Sequence, residues 1–173
     1  MSGARAPKRR RARHAVVAVV LGCAVATIFD SHIVNAEEAP TQLDGSALFK
    51  AYCAVCHREA GTGTPGLAPP ITNSPSVLAT TDAGRRQLAE TLLFGMFGEI
   101  VVDERTYNFK MPEFSKLDDA TLAAVLHHVV FDLAGAQNAA RFTAAEIAPR
   151  RSQLVDGAVI HARRALALAP PSP

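Results

Sequence analysis

An all-α fold with a single core is predicted by three features of the sequence. Aromatic residues make up 6% of a chain that is 49% hydrophobic and lacks Trp, so most of its apolar content is Ala, Val and Leu, which favours helices over a β-sandwich. Apolar residues recur at helical spacing behind Asp and Thr residues placed to cap them, and strand alternation is nearly absent. A length of 173 residues leaves room for one ordinary domain and a short extra segment.

Residues 1–36 read as a targeting segment. Arg5, Lys8, Arg9, Arg10, Arg11 and Arg13 form a basic start, residues 15–29 an apolar run, and Val34-Asn35-Ala36 places small residues for cleavage after Ala36. An uncleaved membrane anchor competes with this reading, but 15 apolar residues fall short of the ~20 that a spanning helix needs. A lipoprotein site at Gly22-Cys23 fits less well, since the apolar run continues past Cys23. Cleavage after Ala36 removes six of the 18 Lys and Arg and one of the 16 Asp and Glu, leaving 12 against 15. The basicity belongs to the segment, so nucleic acid is not an expected partner. Cys53 and Cys56 are then the remaining cysteines.

The elements follow in order. A first helix is expected over 45–56, capped by Asp44, with Leu48, Phe49 and Tyr52 at helical spacing. Residues 61–75 hold three Gly and four Pro and read as an irregular loop. A second helix over 83–97, capped by Asp82 and closed by Gly98, would bury Met96 as core filler beside Leu92 and Leu93. Ile100 and Val102 begin a short extended excursion. Pro112 pushes Met111 toward an extended loop conformation. The third helix has Asp118 as cap and one stripe of Leu122, Val125, Leu126 and Val129; on it His128 reads as a packing residue and His127 as a solvated one. Thr143-Ala144-Ala145-Glu146 reads as a capping box with Phe142 and Ile147 as its staple, and Pro149 interrupts that helix after little more than a turn. A last helix over 156–168 carries Val159, Ile160, Leu166 and Leu168 beside Arg163 and Arg164, ahead of a Pro-rich tail. It serves either as a cover for the domain surface or as a docking element for a partner subunit.

The chemistry is concentrated in Cys53-Ala54-Val55-Cys56-His57. A C-x-x-C-H run is the pattern of covalent haem attachment: each thiol can add to one vinyl group of a haem, and the following His is placed under the iron as proximal ligand. A redox disulfide needs no His and is expected in a thioredoxin-like βαβ pattern, which is not visible here. A zinc site needs four ligands, and no second Cys pair exists. For the opposite face of the iron the candidates after residue 36 are Met96, Met111, His127, His128 and His161. Met111 stands out because a Met in an extended loop between helices can reach a haem, whereas a helical Met fills core. A bis-His iron using a residue of the third helix is the alternative.

Together with Pro69-Pro70, Leu93-Phe94-Gly95-Met96, the stretch Tyr107-Asn108-Phe109-Lys110-Met111-Pro112-Glu113-Phe114 and the helix over 117–130, this motif resembles the class I cytochrome c family, over residues 43–133. More closely, it is similar to the small bacterial mono-haem cytochromes that serve dehydrogenases and terminal oxidases. The resemblance implies the class I cytochrome c fold, helices packed around one covalent haem c, with the extra C-terminal helices added. It implies Met111 as distal ligand, a carbonyl of Pro69-Pro70 accepting a hydrogen bond from His57, and first and third helices crossing at Gly45 and Phe49. One departure is Asp103-Glu104-Arg105, where relatives carry Gly in the turn.

The expected organisation is a signal peptide at 1–36, a haem domain at 37–135 and a helical extension with a Pro-rich tail at 136–173. The expected function is periplasmic one-electron transfer by a single covalent haem c and its iron, bound through Cys53, Cys56, His57 and Met111, with His57 and Met111 as the metal ligands and no catalytic residue. The expected partners are redox proteins, a dehydrogenase, reductase or oxidase, and no small-molecule substrate; membrane association would come only through an uncleaved N-terminus or a partner subunit. A second reading is the electron-accepting subunit of an exported dehydrogenase or reductase complex. A third is a five-coordinate haem sensor or peroxidase, with Met111 off the iron.

Overall fold

In the computed structural model, which describes residues 43–169, Asp44 starts helix α1 (Gly45–Tyr52) by accepting from the backbone N–H groups of Ser46 and Ala47, each at 3.0 Å. The targeting segment, with Cys23, lies outside the described residues. The single helix expected over 45–56 is interrupted. The Cys53 carbonyl accepts from both Cys56 and His57, at 3.2 and 3.0 Å, and this tightened turn starts a separate short helix α2 (Ala54–His57).

The loop after α2 contains a helix that the sequence reading missed, α3 (Ser74–Leu78), with Pro75 in its first turn where a missing N–H costs nothing. Helix α4 (Asp82–Phe94) starts at Thr81 rather than Asp82, since the Thr81 hydroxyl accepts from Gly84 N–H at 3.1 Å. It stops at Gly95 rather than running to 97 and closing at Gly98, because Gly95 takes φ +71° and turns the chain away. Met96 is therefore extended, not helical. Strands β1 (Ile100–Val102) and β2 (Arg105–Tyr107) form an antiparallel hairpin with Val102 opposite Arg105. The turn is made by Asp103 and Glu104, both at positive φ (48° and 61°), a conformation usually assigned to Gly or Asn.

Helix α5 (Asp119–His127) is capped by Asp118, which accepts from Thr121 N–H at 2.7 Å, and continues as a wider π-helical turn over His128–Leu133. It packs against α1 at Gly45, where a Cβ would come within 2.3 Å of the Ala124 carbonyl oxygen. Phe49, 1% exposed, stacks against His128 beside that crossing, with ring centroids 5.4 Å apart. His128 is thus a packing residue, its Nδ1 donating to Asp132 at 2.7 Å. His127 is half-buried rather than simply solvated: it packs on Phe131 and accepts from Arg141 at 2.9 Å.

Only half of the expected capping box forms, because the Glu146 carboxylate pairs with Arg85 at 2.6 Å instead of reaching back to Thr143 N–H. Thr143 accepts from Glu146 N–H, the staple residues Phe142 and Ile147 are buried, and α6 (Ala144–Ile147) passes into one 3-10 turn over Ala148–Arg150 at Pro149. Helix α7 (Gly157–Leu168), capped by Asp156, packs on α3 and α4. Its buried face differs from the expected stripe. Ile160 is fully buried, while Val159 and Leu166 are exposed, because Ile160 lies against Gln87 of α4 and Gly157 against Met96 and Phe97 beyond it. Ile147 belongs to the same buried cluster as Phe49 and Leu126, so the described part of the expected extension, residues 136–169, shares the main core.

Candidate functional site

One cavity gathers the sequence-predicted site residues. Cys53, Cys56, His57 and Met111 all line it, with walls from α1, α3, α4, the hairpin, α5 and α7. It holds about 1410 Å³ of empty space, open solvent at its mouth included. Leu78, Leu88, Leu92, Leu126 and Val129 make its floor apolar, and no Asp or Glu among the described residues lines it.

The proximal wall is built locally. The imidazole of His57 is buried, and its Nδ1–H donates to the Pro69 carbonyl at 3.0 Å, which fixes the neutral tautomer and leaves the Nε2 lone pair free to ligate. Burial holds its pKa below the ordinary histidine value, and the Pro69 bond opposes this only in part. Delivering Pro69 requires a close approach at Gly63, at φ +75°, whose Cβ would come within 2.6 Å of the Ala68 and Pro69 backbone. Thr64 closes the loop by donating its hydroxyl to the Cys56 carbonyl at 2.9 Å. The turn costs strain at Arg58, with φ 59° and ψ 157°, which Arg58 N–H offsets by donating to Ala54 at 2.8 Å.

Cys53 and Cys56 are half-buried free thiols. Burial, and secondarily the neighbouring Cys56, push the Cys53 thiol up to about 11. Dithiol exchange depends on a thiolate of lowered pKa, so this environment disfavours a redox disulfide. Among the described residues no group of three or more His, Cys, Asp or Glu converges as an ion site, leaving the zinc reading without ligands.

The distal wall brings two thioethers together. Met96 and Met111 form an antiparallel bridge, Met111 N–H donating to Met96 at 2.9 Å and Met96 N–H to Met111 at 3.2 Å. Both side chains line the cavity. The sulfur of Met96 lies 4.0 Å from Gln87 Nε2, on the α4 side. His127, His128 and His161 do not line the cavity, so the bis-His alternative has no second imidazole there. Met96, weighed as a distal candidate but set aside as helical core, lines the cavity, as do Tyr107, buried on β2, and Arg164, on α7, neither of which the sequence reading named as a site residue. Arg164 carried a weak signal, a charge inside an apolar helix, but nothing in the sequence told it from Arg163.

An apolar cleft flanked by two thiols, a tied neutral imidazole and thioether sulfur has the donor set and the wall chemistry that fit a haem. A family model described as Cytochrome c matches residues 42–130. The chain is 34% identical over 134 residues to a cytochrome c-552 from one strain of Thermus thermophilus, covering 75% of this chain and 90% of that protein. It is also 34% identical over 131 residues to a second cytochrome c-552 of Thermus thermophilus, covering 73% of this chain and 99% of that protein. Both alignments are longer than the family-model match, so the likeness reaches beyond the stretch 43–133 that the sequence reading expected.

Proposed function

The chain belongs to the cytochrome c family, and on that premise we propose that it is an exported carrier of single electrons, with one haem c held by Cys53 and Cys56 and its iron ligated by His57 and Met111. Haem-based electron transfer is the family's chemistry; a haem, when bound, supplies a one-electron iron couple. The chain's residues account for the rest. The thiols anchor one edge, and the Pro69 carbonyl holds the His57 ring and strengthens it as a donor. The leucine and valine floor excludes water, which disfavours added charge in the cavity. A thioether opposite the imidazole is a soft ligand that raises the potential relative to a second imidazole.

The observation that carries the reading is the convergence of Cys53, Cys56, His57 and Met111 on one apolar cavity from segments over fifty positions apart. If His57 and Met111 both hold the iron, no position would be left on it for a substrate, so no catalytic residue is assigned. Tyr52, Val55 and Phe109 line the cavity and are exposed at 41%, 82% and 62%, which supports outer-sphere exchange at an apolar rim with a redox protein, a dehydrogenase, reductase or oxidase. The basic and apolar N-terminal segment supports export to the periplasm.

Optical spectra test the assignment. The purified protein should retain one haem per chain through denaturing extraction and show the weak red band of a Met-ligated ferric haem. Met111→Ala should abolish that band and Met96→Ala should keep it; the opposite pattern would move the ligand to Met96.

A further inference from the structure

We propose that Arg164, on the C-terminal helix α7, receives a carboxylate of the haem and thereby raises the reduction potential; this rests on the haem reading above. Arg164 lines the same cavity as His57 and Met111, and it is half-buried there. Among the described residues it makes no hydrogen bond or ion pair, whereas its neighbour Arg163 is bound to Glu90 at 3.1 Å. Burial pulls its guanidinium below the usual arginine value with no anion to offset the effect. An unpaired charge in an apolar wall is unfavourable unless a ligand brings the opposite charge.

The placement is held firmly. Ile160, on the same helix, is fully buried, and its carbonyl accepts from Gln87 Nε2 at 3.0 Å. His161 Nε2 donates to the Glu99 carbonyl at 2.7 Å, fixing α7 to the start of the hairpin. These contacts fix the backbone from which Arg164 projects. Among the described residues the cavity is lined by no carboxylate and by two basic side chains, exposed Lys110 and half-buried Arg164. That pattern suits a flat apolar ligand with acidic arms, and a haem's carboxylates are its anionic groups. Arg can meet a carboxylate with two parallel N–H bonds.

The charge arithmetic sets the sign. A cation beside the iron disfavours the ferric state, which is one unit more positive, and neutralising a carboxylate works in the same direction, so removing Arg164 lowers the potential. Other titratable groups near α7 are Glu90 on α4, held by Arg86 and Arg163; Tyr107 and Lys110 on and after the hairpin; and His161 on α7 itself, while α3 contributes none. Lys116, an exposed cation that does not line the cavity, supplies the control as Lys116→Gln.

The test is the reduction midpoint of the full haem-loaded chain, measured between about pH 5 and pH 9, the range into which an unpaired carboxylate in an apolar site can rise. The wild type should be nearly flat. Arg164→Gln, or Arg164→Met if the glutamine variant does not fold, should shift the ferric to ferrous ratio about tenfold at fixed ambient potential, ~59 mV lower for one electron. It should also gain a falling slope with pH, as the freed carboxylate takes up a proton on reduction. Arg164→Lys should restore most of the potential, and Lys116→Gln should leave both readings alone. A neutral variant matching the wild type in midpoint and slope, or an Arg164→Lys no better than the neutral variants, would overturn the proposal. Absence of covalent haem in the wild type would instead overturn the reading on which it rests.

Discussion

The proximal wall of the cavity, residues 53–70, is tied largely to itself: His57 to Pro69, Gly63 N–H to the His57 carbonyl at 2.9 Å, and Thr64 to Cys56. The distal wall, residues 95–112, relies on its neighbours. Met96 and Met111 are paired across a hairpin, Gln87 of α4 approaches Met96, and Gly157 of α7 packs against Phe97. The same haem would thus be gripped on one side by a local motif and on the other by residues held in place by the whole fold. Local motifs survive distant damage; assembled walls do not. The two sides should therefore fail separately.

The largest effect should come from breaking the proximal side. In the double variant Cys53→Ala with Cys56→Ala, pigment should wash out under denaturing extraction. The emptied apolar cavity should then forfeit most of the ~5–15 kcal/mol that keeps a domain of this size folded. A double variant that stays coloured and cooperative on heating would show that the thiols are not the anchor. Gly95→Val attacks the distal side alone. At φ +71° a Cβ would meet the Met111 carbonyl oxygen at 2.5 Å, so the methionine bridge must open, at a cost of about 3 kcal/mol or more. Haem should remain covalently attached while the red band disappears; loss of both together would mean the walls are not independent.

A smaller change sharpens the contrast in the other direction. Glu104→Gly relieves a positive-φ residue in the hairpin turn and should raise stability by about 0.5–1 kcal/mol, read as a higher thermal midpoint with an unchanged spectrum. The smallest effect belongs to a position outside both walls. The Thr121 backbone N–H holds the Asp118 carboxylate below its usual range. A carboxylate lowered on folding stabilises above its unfolded value of about 3.9 and loses that contribution as pH falls through its lower folded value. The gap in thermal midpoint between wild type and Asp118→Ala should be full at neutral pH and close in acid, with no change in midpoint potential; a gap independent of pH would remove the capping role.

Legibility followed the range of the interactions. Asp44, Asp118, Asp156 and the Thr143 cap were readable because a cap is decided within three residues. The Cys53-to-His57 motif was readable for the same reason. The end of α4 was misplaced because Gly95 and Gly98 are equal as sequence signals; only pairing with Met111 selects Gly95, and with it the extended state of Met96. The hairpin turn was obscured because Asp103 and Glu104 stand where Gly is the usual signal. On α7 the apolar residues predicted a helix but only part of its buried face: Ile160 and Leu168 turn to the core, while Val159 and Leu166 stay exposed.

The order of residues alone determined a helical chain with a covalent haem motif, a proximal His and a short list of distal ligands, because each rests on spacing within a turn or two. Tertiary structure alone decided which sulfur-bearing and charged side chains share the cavity: Met111 beside Met96, Tyr107, and Arg164 from the far end of the chain. The reason is physical. Spacing specifies geometry over one helical turn, whereas which faces meet is settled by burying apolar surface across segments that the sequence does not place side by side.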